Sequence, residues 1–144
     1  MSIHHFKGRV ELAENTSERI IKIFQYGMEL RAELSEINRI QSRRNGSVPC
    51  RAQRVYYDEV IDRIKTIESF WLLLNDEERF VIHAHHIEKL SWEQIIIIYE
   101  NRWERRYTKS ERAMKYIQKR AFQRIAKFIE LHRQHYDYGW LDEI

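Results

Sequence analysis

The chain contains few of the residues that break regular secondary structure. Its 144 residues include only 4 glycines and 1 proline. Turn-rich β-sandwiches and barrels depend on these residues, so the sequence predicts an all-α fold instead. The glycine-rich G-x-G-x-x-G and P-loop patterns, which cradle phosphate groups, are also missing. Their absence argues against the common nucleotide-binding enzymes.

Cysteine and long apolar runs are similarly scarce. Cys50 is the only cysteine, which excludes an internal disulfide and a cysteine-based zinc cluster. No run approaches the roughly 18 apolar residues that span a bilayer. Residues 1–15 carry no apolar stretch typical of a secretion signal. We therefore expect a cytoplasmic protein without a membrane partner.

Charge is unevenly distributed, although the net charge is only +3. Residues 75–100 carry two Arg or Lys against six Asp or Glu. Residues 101–133 carry eleven Arg or Lys against three Glu. An acidic block followed by a basic block predicts a polarised surface. Its basic part either meets a polyanion or is a solvated helix face.

The N-terminal half shows two apolar stripes separated by residues 45–50, which include the proline. The first stripe predicts a helix that begins at Thr16 or Ser17 and ends near Arg44. It consists of Ile20, Ile23, Leu30, Leu34 and Ile37. The second stripe predicts a helix over residues 52–74. It consists of Tyr57, Val60, Ile64, Ile67, Trp71 and Leu74. We expect residues 1–72 to form an antiparallel helical hairpin or a dimerisation module.

The C-terminal half, residues 73–144, carries stronger signals for where helices begin. Asn75 or Asp76 is a suitable N-cap for a helix that ends near Glu88. Residues 91–94 match a capping box and predict a short helix to about residue 100. Residues 101–107 are expected to interrupt the helices, although a helix over 91–103 or a protruding basic loop would also fit. A second capping box at residues 108–111 predicts a long helix to about Leu131.

This order of helices is typical of a helix-turn-helix DNA-binding unit. The last helix has an apolar face, and its basic residues lie on the other sides. Arg near the start of such a helix can pair with guanine and Gln with adenine, whereas arginines ahead of it are placed for phosphates. The candidate DNA-binding residues are Arg102, Arg105, Arg106, Lys109, Ser110, Arg112, Lys115, Tyr116, Lys119, Arg120 and Gln123.

Residues 74–82 (Leu-Asn-Asp-Glu-Glu-Arg-Phe-Val-Ile) and 90–95 (Leu-Ser-Trp-Glu-Gln-Ile) resemble region 4 of the sigma-70 family, as does the basic helix ending in residues 121–126. The Ser-Trp-x-x-Ile segment is similar to the ArpU- and RinA-type late-gene regulators of Gram-positive phages. The resemblance implies a sequence-specific, duplex-DNA-binding transcription regulator in a bacterial host cell. It also implies activation of phage or prophage late genes. A homodimer that contacts RNA polymerase is the expected assembly.

Two other functions stay open at this point. A phage small terminase subunit also combines a helix-turn-helix with a helical assembly region, and it would form a ring-sized oligomer. A protein-interaction module would instead bind RNA polymerase through its apolar seam and its acidic, aromatic tail, residues 135–144. Packing of that tail on the body is the simpler expectation.

Metal binding and catalysis have weaker support in the sequence. His83 and His86 lie three residues apart on one predicted helix face, which is a spacing that can chelate zinc. A third ligand and an H-E-x-x-H motif are missing. We therefore expect no metal, no cofactor and no catalytic residue.

Overall fold

The computed structural model describes residues 14–43, 48–103, 109–133, 135 and 138–144. All regular secondary structure in these residues is helical, so the predicted all-α class is confirmed. The α-helices are α1 (Glu14–Ser42), α2 (Arg51–Leu72), α3 (Asp76–Ile82), α4 (Trp92–Trp103) and α5 (Glu111–His132). A π-helical turn (His83–Ile87) extends α3, and a 3-10 turn (Gly139–Glu143) lies near the C-terminus.

Helices α1 and α2 form the antiparallel hairpin that the two stripes predict. Ile20, Ile23 and Leu30 of α1 are buried with Val60 and Ile64 of α2 in one cluster. The stripes therefore close on each other within a single chain. Their buried side chains are not available to a second copy while the hairpin stays closed.

The two helices approach most closely at Gly27. A Cβ atom at this position would lie 2.9 Å from Cγ2 of Ile67, closer than real Cβ contacts allow. Ile67 is buried, and its Cγ2 is attached directly to the branched Cβ, so it has little room to move. We call the contact surface between α1 and α2 the hairpin seam. The close approach of the two helices there therefore requires glycine at residue 27.

The helix boundaries differ from the predicted ones by a few residues. Helix α1 begins at Glu14, two residues before the predicted cap Thr16, and α2 ends at Leu72 rather than Leu74. Helix α4 runs through residues 101–103, as in the alternative prediction of a helix over 91–103, rather than stopping near residue 100. Trp103 explains the extension, because its ring stacks on Tyr99 and meets Phe80 edge-on, with centroids 4.7 and 5.2 Å apart.

The capping predictions have mixed outcomes. Ser91 and Gln94 form the predicted box, in which Gln94 N–H donates to Ser91 Oγ (3.2 Å) and Ser91 N–H donates to Gln94 Oε1 (3.0 Å). The predicted box over residues 108–111 is wrong, because α5 begins at Glu111 and its N-cap is Ser110. Ser110 Oγ accepts from Ala113 N–H at 3.2 Å, which satisfies one of the free amides of the first turn.

The break predicted at residues 89–90 is present and has a clear geometry. Lys89 adopts a left-handed backbone conformation with φ 61°. Leu90 N–H then donates back to Ala84 C=O at 2.9 Å, which closes the π turn with a bond one residue longer than that of a Schellman cap. This reversal separates α3 from α4.

Two apolar clusters share helix α5. Near the start of α5, Met114 is buried with Val81, Ala84, Ile95 and Tyr99 of α3, its π turn and α4. Farther along α5, a second group is buried in the cluster that contains the hairpin. That group consists of Ala121, Phe122, Ile125 and Ile129. Helices α3 and α4 and the hairpin therefore hold the same face of α5 at two places along its length.

The C-terminal residues pack on the body rather than extending from it. Tyr138 and Leu141 are buried in the hairpin cluster, and Trp140 lies beside Tyr26 and under the Arg63 guanidinium. Asp142 forms an ion pair with Arg19 at 3.0 Å. In this conformation Tyr138 and Leu141 are part of the core.

A buried carboxylate joins α2, α3 and α5. Glu78 is 4% exposed, and its Oε1 accepts from Asn75 N–H (2.9 Å) and from Arg124 (2.5 Å). Arg124 also donates to Leu73 C=O at the end of α2 (3.4 Å). A buried carboxylate is tolerated only when it is paired and hydrogen-bonded, and here both conditions hold.

We expect Gly27→Ala to lower the free energy of unfolding by about 1 kcal/mol. The overpacking against Ile67 outweighs the gain in helix propensity. Urea unfolding measures the change. In an Ile67→Ala background the same substitution should be neutral or stabilising. An equal loss in both backgrounds would contradict the close approach described above.

We expect Arg124→Met to lower the free energy of unfolding by about 2 kcal/mol, because it leaves the Glu78 carboxylate buried without its cation. The matched control is Lys127→Met, an exposed cation on the same helix, which should stay within about 0.5 kcal/mol of the parent. Denaturant melts of the two variants test this. Similar values for both would show that the buried pair is not stabilising.

Candidate nucleic-acid interface

The exposed face of α5 carries most of the candidate DNA-binding residues. Arg112, Lys115, Lys119 and Arg120 are exposed, and Tyr116 is 60% exposed. Their spacing of three and four residues places them on one side of the helix. Met114, Ala121 and the other buried positions lie on the opposite side. The structure therefore gathers these candidates into one row, which the half-buried Gln123 continues.

This row is strongly basic. Glu111 is the one carboxylate of α5 near it, and Glu111 Oε2 lies 3.8 Å from Lys115 Nζ. Arg112, Lys119 and Arg120 form no ion pair within the described residues, and the Arg120 guanidinium lies 5.9 Å from the Tyr116 ring centroid. A shallow depression of about 460 Å³ lies along the first half of the row. A convex helix face with these charges can enter a major groove.

Lys109 and Ser110 have structural roles at the start of α5. Lys109 Nζ forms an ion pair with Glu77 Oε2 at 3.0 Å, and Tyr99 donates its hydroxyl to the same oxygen. Burial lowers the pKa of Lys109, but its bonds to Glu77 and Tyr99 outweigh this, so its pKa is raised. Ser110 caps the helix. Both residues position the start of the basic row, and their polar groups already have protein partners.

The arginines ahead of α5 are only partly described. Arg102 lies in the last turn of α4, where its guanidinium covers the Trp103 and Phe80 rings at 4.8 and 5.6 Å. It is exposed and lies outside the row on α5. The predicted phosphate contacts Arg105 and Arg106 lie outside the described residues.

The histidines that suggested a metal pair face separate partners. His83 Nδ1 lies 3.0 Å from Glu88, His85 Nδ1 lies 3.2 Å from Leu90 C=O, and His86 Nε2 lies 2.7 Å from Gln118 Oε1. Among the described residues, no three His, Cys, Asp or Glu side chains are grouped to hold a metal ion. Cys50 is exposed as a free thiol beside the N-terminus of α2.

Two further features complete the description of the surface. A cavity of about 220 Å³ lies between the hairpin and the π turn, and its walls include Phe24, Met28 and Trp71. It is smaller than the roughly 300–1,000 Å³ of typical small-molecule sites. None of the helices in the described ranges is long and apolar enough to cross a membrane.

Comparison of the chain with protein-family models, curated proteins and solved structures gives no match.

Sequence reasoning missed two features of α5. Arg124 belongs to the basic block, but it is bound to buried Glu78 and contributes to the fold rather than to the exposed row. Lys127 is exposed and follows Lys119 and Arg120 by two turns. The spacing of residues 112, 116, 119, 120, 123 and 127 could have identified both features, because Arg124 falls at the edge of this row.

We expect the free energy of unfolding to decrease as the pH falls below about 6.5, in part because of His86. Burial lowers the pKa of His86, and its hydrogen bond with Gln118 offsets this only partly. The folded chain therefore binds this proton at a lower pH than the unfolded chain does. Urea melts at about pH 7.5 and 5.5 should show a smaller difference for His86→Gln than for the parent. His83→Gln, in the same turn, is the control, and equal pH dependence in all three proteins would contradict the assignment.

Proposed function

We propose that this chain is a duplex-DNA-binding transcription regulator that places α5 in the major groove. The observation that carries the proposal is the exposed basic row of α5, opposite the buried face of the same helix. Arg112 lies in the first turn, where an arginine can pair with the O6 and N7 atoms of guanine. Lys115, Lys119 and Arg120 lie farther along, where they can neutralise phosphates.

The packing of α5 supports this role. The buried face of the helix packs on α3 and α4 near its start and on the hairpin farther along, and Ser110 and Lys109 hold its start in place. A helix that reads bases must keep its register relative to the backbone contacts of the protein. The arrangement of α4 followed by α5 agrees with the helix-turn-helix order in the sequence. It also agrees with the resemblance to sigma-70 region 4 and to ArpU- and RinA-type regulators.

Activation of phage or prophage late genes, pairing of two chains and contact with RNA polymerase belong to the same proposal. Two copies on adjacent half-sites would have to meet outside the hairpin seam, since the seam side chains are buried within one chain. Sedimentation of the protein with and without DNA separates a dimer from a ring-sized oligomer. A ring would favour the alternative role in DNA packaging.

The test is fluorescence anisotropy with a random duplex and with fragments of the genome that encodes the chain. For the parent protein we expect one fragment to bind well above the random duplex. For Lys119→Ala with Arg120→Ala, the slope of log affinity against log salt should fall by about 1.8, because each lost phosphate contact contributes about 0.9. Lys22→Ala with Lys65→Ala removes the same charge from exposed hairpin positions and should leave the slope unchanged.

The outcomes separate the candidate functions. Salt-dependent binding without any preferred fragment favours DNA packaging over regulation. No binding near physiological salt, where even non-specific binders reach dissociation constants of about 10⁻⁴–10⁻⁶ M, overturns the proposal and favours a protein-interaction module. The double substitution of Lys119 and Arg120 is called the α5 variant. If it and the Lys22 and Lys65 control lower the salt slope equally, binding depends on the overall charge rather than on α5.

A further inference from the structure

A second run of positive charge, besides the one on α5, lies at the far end of the hairpin. Residues 39–54 contain five arginines and no Asp or Glu. Arg39 and Arg43 end α1, Arg51 and Arg54 begin α2, and Arg44 lies between them outside the described residues. We define the hairpin tip as residues 39–43 and 48–54.

The arginines of the hairpin tip are open to solvent. Arg43, Arg51 and Arg54 are exposed, and none of them forms an ion pair with a carboxylate in the described part of the chain. Arg39 pairs with Glu36 on its own helix. Most other arginines of the hairpin are paired: Arg19 with Asp142, Arg31 with Glu68 and Arg63 with Glu59. The tip therefore differs from the rest of the hairpin in carrying uncompensated charge.

The position of Arg51 and Arg54 is unfavourable for the helix that carries them. The N-terminus of a helix carries a partial positive charge and favours acidic side chains in its first turn. The first turn of α2 contains no acidic residue, whereas α3 has Asp76, Glu77 and Glu78 in its first turn. The described residues provide no carboxylate that compensates for this unfavourable placement, which points to a contact outside the protein.

The tip also lies beyond the packed core. Leu30 is the last buried residue of α1, and Val60 is the first buried residue of α2. Twelve residues separate Leu30 from Ser42, which corresponds to about 18 Å of helix. The tip arginines thus stand well away from the hydrophobic cluster, and the fold does not need their charge.

We propose that the hairpin tip is a second contact with the DNA backbone, on phosphates that flank the segment held by α5. This inference rests on the proposed function. Arginine suits the task because its planar guanidinium can bind a phosphate with two parallel hydrogen bonds. The exposed apolar side chains of the tip, Ile40 and Val48, are isolated among arginines and polar residues, so charge dominates this surface.

The experiment measures binding of the full chain to random duplexes of about 12 and about 30 base pairs, the longer one spanning about three turns. Arg51→Gln with Arg54→Gln is the test variant. On the long duplex we expect its salt slope to fall by about 1.8 and its affinity near 0.1 M salt to fall more than about tenfold. On the short duplex it should match the parent. Lys22→Gln with Lys65→Gln is the control for charge and should match the parent on both.

A second variant, Arg43→Gln, tests the same surface from α1 and should lower the salt slope by about 0.9 on the long duplex. Thermal unfolding checks that both tip variants fold, and removal of arginine from the start of α2 should leave the melting temperature unchanged or raised. Tip variants that bind both duplexes as the parent does overturn the proposal and leave the tip to an acidic protein partner. If the tip variants bind both duplexes more weakly by the same factor, the tip does not contact phosphates that flank the α5 segment.

The failure of this inference is distinguishable from the failure of the proposed function. Loss of binding in the α5 variant with no effect at the tip overturns the tip contact alone. If the tip variants bind DNA more weakly and the α5 variant binds as the parent does, the role of α5 is overturned and a DNA contact at the tip is supported. A parent protein that binds neither duplex overturns both.

Discussion

The buried carboxylate of Glu78 joins the end of the hairpin, the start of α3 and α5. Its charge cannot stay in the interior without partners, so it binds the amide at the start of α3 and the guanidinium of Arg124 on α5. Arg124 and Arg79 also satisfy carbonyl groups at the end of α2. Together these bonds connect the end of the hairpin to the start of α3 and contribute to the rotation of α5 against both.

That rotation has a functional consequence. Helix α5 is amphipathic along its whole length, and its apolar side is divided between two clusters. Because both clusters hold it, its basic row is presented on a rigid support. A DNA-binding helix depends on such support, since small displacements of its side chains remove hydrogen bonds to base edges. The hairpin, which the sequence predicted as an alternative to a dimerisation module, packs against α5 and is part of this support.

Much of the fold follows from the sequence patterns. The heptad-like stripes identified both hairpin helices, and the Ser91 capping box placed the start of α4 correctly. The predicted candidates from Arg112 to Gln123 lie on one helix face, as their spacing indicates. The sequence left two ends of α4 open, near residue 100 and at residue 103, and packing of Trp103 on Phe80 and Tyr99 decides for the longer helix. The ion pair of Lys109 could not be predicted either, since its partner Glu77 is 32 residues away in the sequence.

By itself the sequence determined the helical class, the hairpin and the basic character of α5, because these depend on local periodicity, on capping residues and on the scarcity of glycine and proline. The tertiary structure alone decided which charges are free. Arg124 and Lys109 look like their neighbours in the sequence, yet buried or half-buried carboxylates from distant elements bind them. Pairing of charges depends on distances in space, whereas helical periodicity depends on distances along the chain.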